Sequence, residues 1–239
     1  MSLDSHLPAY KPDFAYQFDN EIMLNWYPKR IMALTEPGNN VLELGIGHGY
    51  TCNHFSDYFH HYVVIDGSES VISNFKQVFP ASKAEIVEGF FEDFSSERKF
   101  DVIIMGFVLE HVDRPKDILE KYRELLAPGG RCFVSVPNAE SLHRRFGAAA
   151  GLLDNVLTLG EGDLVLGHQR YYTVASLTSE LEEAGYSIQR KEGIFLKPVT
   201  TQQMISLDLR SDIIDGMCKV GIDYPELSAG LLFEATSNR

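Results

Sequence analysis

Residues 41–51, VLELGIGHGYT, set Gly45, Gly47 and Gly49 directly behind a short apolar run. Glycine turns a backbone sharply and lets it approach a ligand with no Cβ in the way, so this spacing reads as a strand-to-helix junction that opens onto a binding crevice. Glu43 stands near the carboxyl end of that strand. A carboxylate buried there needs a partner, and a ligand ammonium, met directly or through water, would supply one. Asp66 closes the next apolar run, where an acid can accept both hydroxyls of a ribose. Glycines, ammonium partner and ribose partner together describe a cofactor site.

A second set of residues offers proton chemistry. His111 follows the run VIIMGFVLE, and an imidazole titrating near neutrality can take a proton from a hydroxyl or an acid. The string GHQRYYT, residues 167–173, brings a base, a cation and two phenols together in His168, Arg170, Tyr171 and Tyr172. Arg170 suits a carboxylate or phosphate through its planar fork, although the same string also reads as the cap of a helix starting at Thr173. These residues are the candidates for acceptor contact, with His111 and His168 the candidate bases.

The elements that must position them follow from periodicity. Val41–Leu44, Tyr62–Ile65, Ala84–Val87, Val102–Met105 and Cys132–Val136 are short, β-branched and bounded by turn residues, which predicts strands. Ile118, Leu119, Tyr122, Leu125 and Leu126 paint one helical stripe that starts near Pro115 and stops at Ala127-Pro128-Gly129-Gly130. Thr173 caps a further helix with Leu177, Leu181 and Ala184 on one face and Gly185 closing it. Strands alternating with helices demand crossovers, hence a parallel sheet covered on both faces. Three stretches stand outside that alternation. Residues 1–38, with Phe14, Tyr16, Phe18, Trp26 and Tyr27, read as a helical cap. Residues 140–170, rich in small residues, read as a lid. Helical residues 201–220 lie between two strand-like runs, Tyr186–Phe195 and Leu231–Thr236, in the C-terminal half, 171–239.

Across residues 38–140 the ordered motifs resemble the class I, Rossmann-like S-adenosylmethionine-dependent methyltransferases. VLELGIGHG is similar to the family's first motif and VVIDGSES to its second, which implies cofactor contact at Asp66, Gly67 and Ser68. EIVEGFFEDF resembles the segment that flanks adenine, and the correspondence falls on Phe90 and Phe91. Phe90 stands where close relatives carry an aspartate, so an acidic contact to the adenine amino group is not carried over. FDVIIMGFVLEHV resembles the fourth strand and the turn lining the methionine half, which implies roles for Met105 and Gly106. LLAPGGRCFVSVPN resembles the fifth strand and its approach. The resemblance implies a doubly wound, mostly parallel seven-stranded α/β sheet in a single domain over residues 1–239, with its cofactor-binding core at 39–139, and S-adenosyl-L-methionine as cofactor.

The whole chain narrows the acceptor. Its 239 residues, 44% hydrophobic, are enough for one full core, and its net charge of -13 repels nucleic acid and anionic lipid. Cys52, Cys132 and Cys218 show no CxxC spacing, so neither a disulfide scaffold nor a metal site is expected, and a reducing cytoplasm fits. No apolar run is long enough for a membrane span. Gly106-Phe107-Val108-Leu109 stands where methylases of nucleic-acid bases carry a proline-aromatic signature. The expectation is methyl transfer to a small molecule, O-methylation first and N- or carboxyl-methylation second. Two other classes are a non-catalytic S-adenosylmethionine-binding subunit and an NAD-dependent oxidoreductase. The second is disfavoured because GIGHGY has its third glycine one position early for GxGxxG.

Overall fold

The computed structural model describes residues 14–238; the start of the expected cap, residues 1–13, lies outside them. Elements are numbered in chain order. The first half runs α1 (Gln17–Leu34), β1 (Asn40–Leu44), α2 (Tyr50–Tyr58), β2 (His61–Asp66), α3 (Glu69–Val78), β3 (Glu85–Glu88), β4 (Phe100–Gly106) and α4 (Pro115–Arg123). It continues with β5 (Leu126–Pro137), α5 (Leu142–Ala149), α6 (Glu161–Leu166), α7 (Val174–Glu183), β6 (Tyr186–Ile194), α8 (Thr201–Ser206), α9 (Ser211–Gly221) and β7 (Gly230–Ser237).

The strands form one seven-stranded sheet in the order β3-β2-β1-β4-β5-β7-β6. Strands β1 to β5 pair in parallel, and β7 is antiparallel to both β5 and β6. The mostly parallel, doubly wound α/β sheet expected from the sequence is therefore present, with one reversed strand near its edge.

Strand alternation sends successive residues to opposite faces, and both faces are covered. Leu42, Leu44, Ile103 and Met105 pack with Ile118 and Leu119 of α4 and Leu177 and Leu181 of α7. Val41, Val64, Val102 and Ile104 pack on the other side against Tyr27 and Ile31 of α1, Phe55 of α2 and Phe75 of α3. At about 1.5–3 kcal/mol per large apolar side chain buried, these two layers drive the fold. Local signals set the helix starts: Ser68 Oγ accepts from the Val71 N–H at 3.2 Å, and Thr173 Oγ1 from the Ser176 N–H at 3.0 Å. Gly185 closes α7 with φ 83°.

Helix α4 ends earlier than its stripe predicts. The chain enters β5 at Leu126, and the Leu125 carbonyl accepts from the Phe100 N–H at 2.9 Å. Apolar periodicity alone did not separate the last helical turn from the first strand residues. Gly130 is needed there because a Cβ would lie 2.9 Å from the carbonyl oxygens of Ala127 and Phe100. The stretch expected as a lid carries two short helices, α5 and α6, and Arg144 of α5 ties down the segment between them and Tyr171. Its guanidinium donates to the carbonyls of Val156 and Thr158 and to the Tyr171 hydroxyl, and lies 4.2 Å over the Tyr171 ring. Among the described residues no helix is long and apolar enough to cross a membrane, and Cys52, Cys132 and Cys218 are buried and free.

Candidate active site

The carboxyl ends of β1, β2, β3 and β4 open into one cavity of about 720 Å³, bounded on its far side by α1, α5 and the 163–171 stretch. That size lies within the range of about 300–1,000 Å³ for small-molecule sites.

The floor is the loop from β1 into α2. Gly45, Gly47 and Gly49 take φ of 83°, 53° and 81°, the left-handed region that side chains resist. Asp66, at the end of β2, braces this loop: one carboxylate oxygen accepts from the Ile46 N–H and the other from the Ser68 N–H, each at 2.8 Å. Burial raises its pKa more than these amide hydrogen bonds lower it. Phe90 and Phe91 follow β3 at the rim. Phe90 is about half exposed, and Phe91 packs toward Gly45, whose Cβ position lies 3.9 Å from the ring.

Behind the floor sits a polar group wholly removed from water. Glu43, on β1, accepts a very short hydrogen bond from the Tyr62 hydroxyl and another from the Cys52 thiol at 3.4 Å. Burial pushes its carboxyl up to about 7 against the lowering influence of Tyr62, Thr51 and Cys52. Tyr27 of α1 lines the cavity in front of it and meets Gly106 so closely that a Cβ there would be 2.1 Å from the phenol oxygen. Gly106 is thus required by Tyr27.

After Gly106 the backbone turns through Phe107, whose φ of 57° is strained for a non-glycine residue. That turn carries residues 108–112 across the cavity. Glu110 lines it, is fully buried, and has no hydrogen-bond partner on either carboxylate oxygen among the described residues. Burial pushes its carboxyl up to about 7, against lowering by His168 and Arg170. The ring of His111 meets that of His168 edge-on, 4.8 Å between centroids. Behind His168, Asp163 Oδ1 lies 3.5 Å from Nδ1 and accepts from the Tyr171 hydroxyl at 3.0 Å. Burial alone would raise the pKa of Asp163, but the adjacent His168 and hydrogen bonds from the Gly160 N–H and the Tyr171 hydroxyl outweigh it and hold it below the usual range.

A third wall was not anticipated. Lys197, after β6, donates to Asp19 of α1 at 2.6 Å and to Thr201 at 3.1 Å, all of them buried. Nearby, Asp19 Oδ1, Ser141 Oγ and His143 Nδ1 are buried without partners among the described residues. Burial, with Lys197 and Arg144 adding to it, pushes His143 down to about 3. Asp19 and Lys197 are 178 residues apart, so no local pattern links them.

Of the residues singled out from sequence, Gly45, Gly47, Asp66, Gly67, Ser68, Phe90, Phe91, Gly106, His111, His168 and Tyr171 line this cavity. Glu43 stands behind it. Met105 points to the opposite face and packs in the apolar core. The Arg170 guanidinium donates to the carbonyls of Leu109, at 2.8 Å, and Val112, and Tyr172 is core, its hydroxyl 3.5 Å from the Leu109 carbonyl. Both hold the turn in place and neither faces the cavity. Burial and the nearby carboxylate of Asp163 raise Tyr171, which keeps its phenol protonated.

A glycine junction braced by an acid, on a seven-stranded sheet with one reversed strand, defines the class I methyltransferase architecture. The chain belongs to the methyltransferase-domain family of S-adenosylmethionine-dependent enzymes, whose model matches residues 20–191. A protein of Mycolicibacterium smegmatis, named a probable S-adenosylmethionine-dependent methyltransferase, is 28% identical over 163 residues. The match covers 66% of this chain and 56% of that relative, so the chain spans little more than half of it. The ubiquinone biosynthesis O-methyltransferase of Aeromonas salmonicida is 24% identical over 188 residues, 77% of this chain and 76% of that protein. Among solved structures, the 1,6-didemethyltoxoflavin-N1-methyltransferase of Burkholderia thailandensis, with its substrate and S-adenosylhomocysteine bound, shares the fold. Its TM-score is 0.63 over 98% of this chain and 85% of that one, at 17% identity.

The cavity fits the family's cofactor on its own terms. A Cβ at Gly47 would meet nothing within 4 Å, so this glycine serves conformation and an open approach and relieves no internal crowding. Asp66 keeps its carboxylate at the wall with two amide donors fixing its orientation.

Proposed function

We propose that the protein transfers a methyl group from S-adenosylmethionine to an oxygen of a small-molecule acceptor. The donor is read as held by the glycine loop and by Asp66 at the ribose hydroxyls. Phe90 and Phe91 flank the adenine, and Gly106 and Tyr27 border the methionine half. When bound, S-adenosylmethionine supplies a methyl already activated by its positive sulfur. The chain's own work is then alignment, exclusion of water, and handling of one proton. Holding both reactants near attack distance supplies several kcal/mol through effective concentration. In this reading His111 and His168 relieve an acceptor hydroxyl of its proton, a role supported by their rings meeting at the cavity wall and by Asp163 lying 3.5 Å behind His168 Nδ1.

The observation that carries the reading is the wall formed by Glu110, His111 and His168, which presents proton-accepting groups to the cavity beside the turn after β4. The names of relatives such as the Aeromonas salmonicida O-methyltransferase support an oxygen acceptor. The high negative charge supports a small molecule over nucleic acid. The test is production of S-adenosylhomocysteine by purified protein across matched sets of hydroxyl, carboxyl and amine metabolites. Turnover confined to hydroxyl acceptors is expected. Turnover confined to amines would overturn the oxygen reading, and donor binding with no turnover on any set would make the chain a binding subunit.

A further inference from the structure

Glu110 presents a physical problem that the methyl-transfer reading leaves open. Its carboxylate is fully buried at the cavity wall and neither oxygen has a hydrogen-bond partner among the described residues. Carboxylates in such places are neutralised, paired with a cation, or bound to a metal. Among the described residues no lysine or arginine pairs with it directly: Arg170 acts on it only as a nearby charge, its guanidinium being occupied by the carbonyls of Leu109 and Val112, and Lys197 is occupied by Asp19 and Thr201.

The geometry points to a divalent metal site formed by Glu110, His111 and His168. One ligand atom from each of the three lies within 4.8 Å of the others. Ligands at zinc-like distances around a tetrahedral ion stand about 3.4 Å apart, so side-chain rotation of about an ångström closes the site. The arrangement is braced from behind. Asp163 faces His168 Nδ1, the carboxylate–histidine pairing that orients a ligating imidazole, and it leaves Nε2 as the ligand atom. The backbone fixes the two contributing segments to each other. The Gln169 N–H donates to the Glu110 carbonyl at 2.8 Å, and Gln169 Nε2 donates to the His111 carbonyl at 2.7 Å.

Two imidazoles with one carboxylate select zinc, manganese, iron(II) or cobalt(II) over magnesium or calcium, which take oxygen ligands. Three protein ligands leave positions open, and these face the cavity. The acceptor class follows: a molecule whose hydroxyl or carboxyl oxygen completes the coordination next to the donor site. A protonated amine has no lone pair to offer and is repelled. This inference rests on the reading that the turn after β4 and the 163–171 stretch bound the acceptor half.

The test is calorimetric titration of chelator-treated full-length protein with Zn²⁺, Mn²⁺ and Mg²⁺, with no acceptor present. One Zn²⁺ or Mn²⁺ per chain at micromolar affinity or tighter is expected, with Mg²⁺ far weaker. Glu110→Gln and His168→Ala should lose that site by about 100-fold or more, and Asp163→Asn should weaken it by about 10-fold. No stoichiometric site in the wild type, or a site that survives both ligand variants, overturns the proposal. Should a variant fail to fold, the visible spectrum of Co²⁺ bound to wild type decides, because imidazole ligation in a distorted site gives intense bands and surface binding does not. S-adenosylmethionine binding and turnover are scored on the same samples. Hydroxyl turnover at full rate without metal keeps the oxygen reading and removes the metal. Metal bound at these residues with amine turnover alone keeps the metal and removes the oxygen reading.

Discussion

The two halves of the cavity, proposed above as a donor side at the glycine loop and an acceptor side at the turn after β4, differ in how their polar groups are satisfied. On the donor side every anion already has partners: Asp66 is held by two backbone amides, and Glu43 by Tyr62 and Cys52. On the acceptor side Glu110, Asp19 Oδ1, Ser141 Oγ and His143 Nδ1 are buried without partners among the described residues. A buried unsatisfied polar group costs about 1–3 kcal/mol, so such a wall persists where a ligand repays it. On the proposed reading, the half around the glycine loop and Asp66 is a finished mould that would suit one cofactor. The acceptor half stores polar demand that a particular acceptor, or a metal, would meet, and that is where relatives of one fold can differ in chemistry.

The sharpest way to break this comparison is to alter the acceptor wall and read both halves. Glu110→Gln and His168→Ala should each lower turnover by about 100-fold or more, the range for losing a positioned proton-handling group, while S-adenosylmethionine affinity stays within a factor of two or so of wild type. Parallel loss of donor affinity would show that the halves are not separate.

Glu43 supplies the next largest effect. Burial raises its folded carboxyl from 4.5 to about 7, so between those values the folded protein holds a proton that the unfolded chain has released. Stability therefore falls as pH rises through that window and levels off above it. Glu43→Gln should remove up to about 3 kcal/mol of this penalty at pH 8 and none of it below pH 4.5. Chemical denaturation of both proteins at the two pH values measures the difference, and a pH-independent difference would contradict the burial argument.

Gly106→Ala tests the contact that joins the halves. Its Cβ collides with the Tyr27 phenol, so a loss of about 1–3 kcal/mol is expected. Tyr27→Phe in the same chain should recover part of that loss, as a double-mutant cycle would show. Tyr172→Phe should have the smallest effect, about 0.5–1 kcal/mol in stability with turnover nearly unchanged, because its hydroxyl makes a long 3.5 Å contact to the Leu109 carbonyl and otherwise interacts with Glu180, away from the cavity.

That last expectation shows where the sequence was readable and where it was not. The glycine junction, Asp66 and the order of strands and helices are local signals: each lies within one run of apolar residues and the turn behind it. The string GHQRYYT is local too, but neighbours in that string do not share one side of the chain. The chain is extended there, with Tyr172 bridged to Asn138, and extended backbone sends alternate side chains to opposite sides. Tyr171 therefore faces the cavity, while Arg170 and Tyr172 face the turn carrying Glu110. The turn carrying Glu110 and His111 is expected from the sequence to face the methyl group, but a role for the Glu110 carboxylate itself follows only once its burial is known. Asp19 and Lys197 needed the tertiary fold to meet at all.

The most direct measurement is isothermal titration of S-adenosylmethionine into wild type, Asp66→Ala and Glu110→Gln under one condition. A donor half built independently of the acceptor half requires wild type and Glu110→Gln to bind alike and Asp66→Ala to lose roughly 1.5–3 kcal/mol, the worth of hydrogen bonds to a charged group. Unchanged affinity in Asp66→Ala, or a loss in Glu110→Gln as large as that in Asp66→Ala, would contradict it.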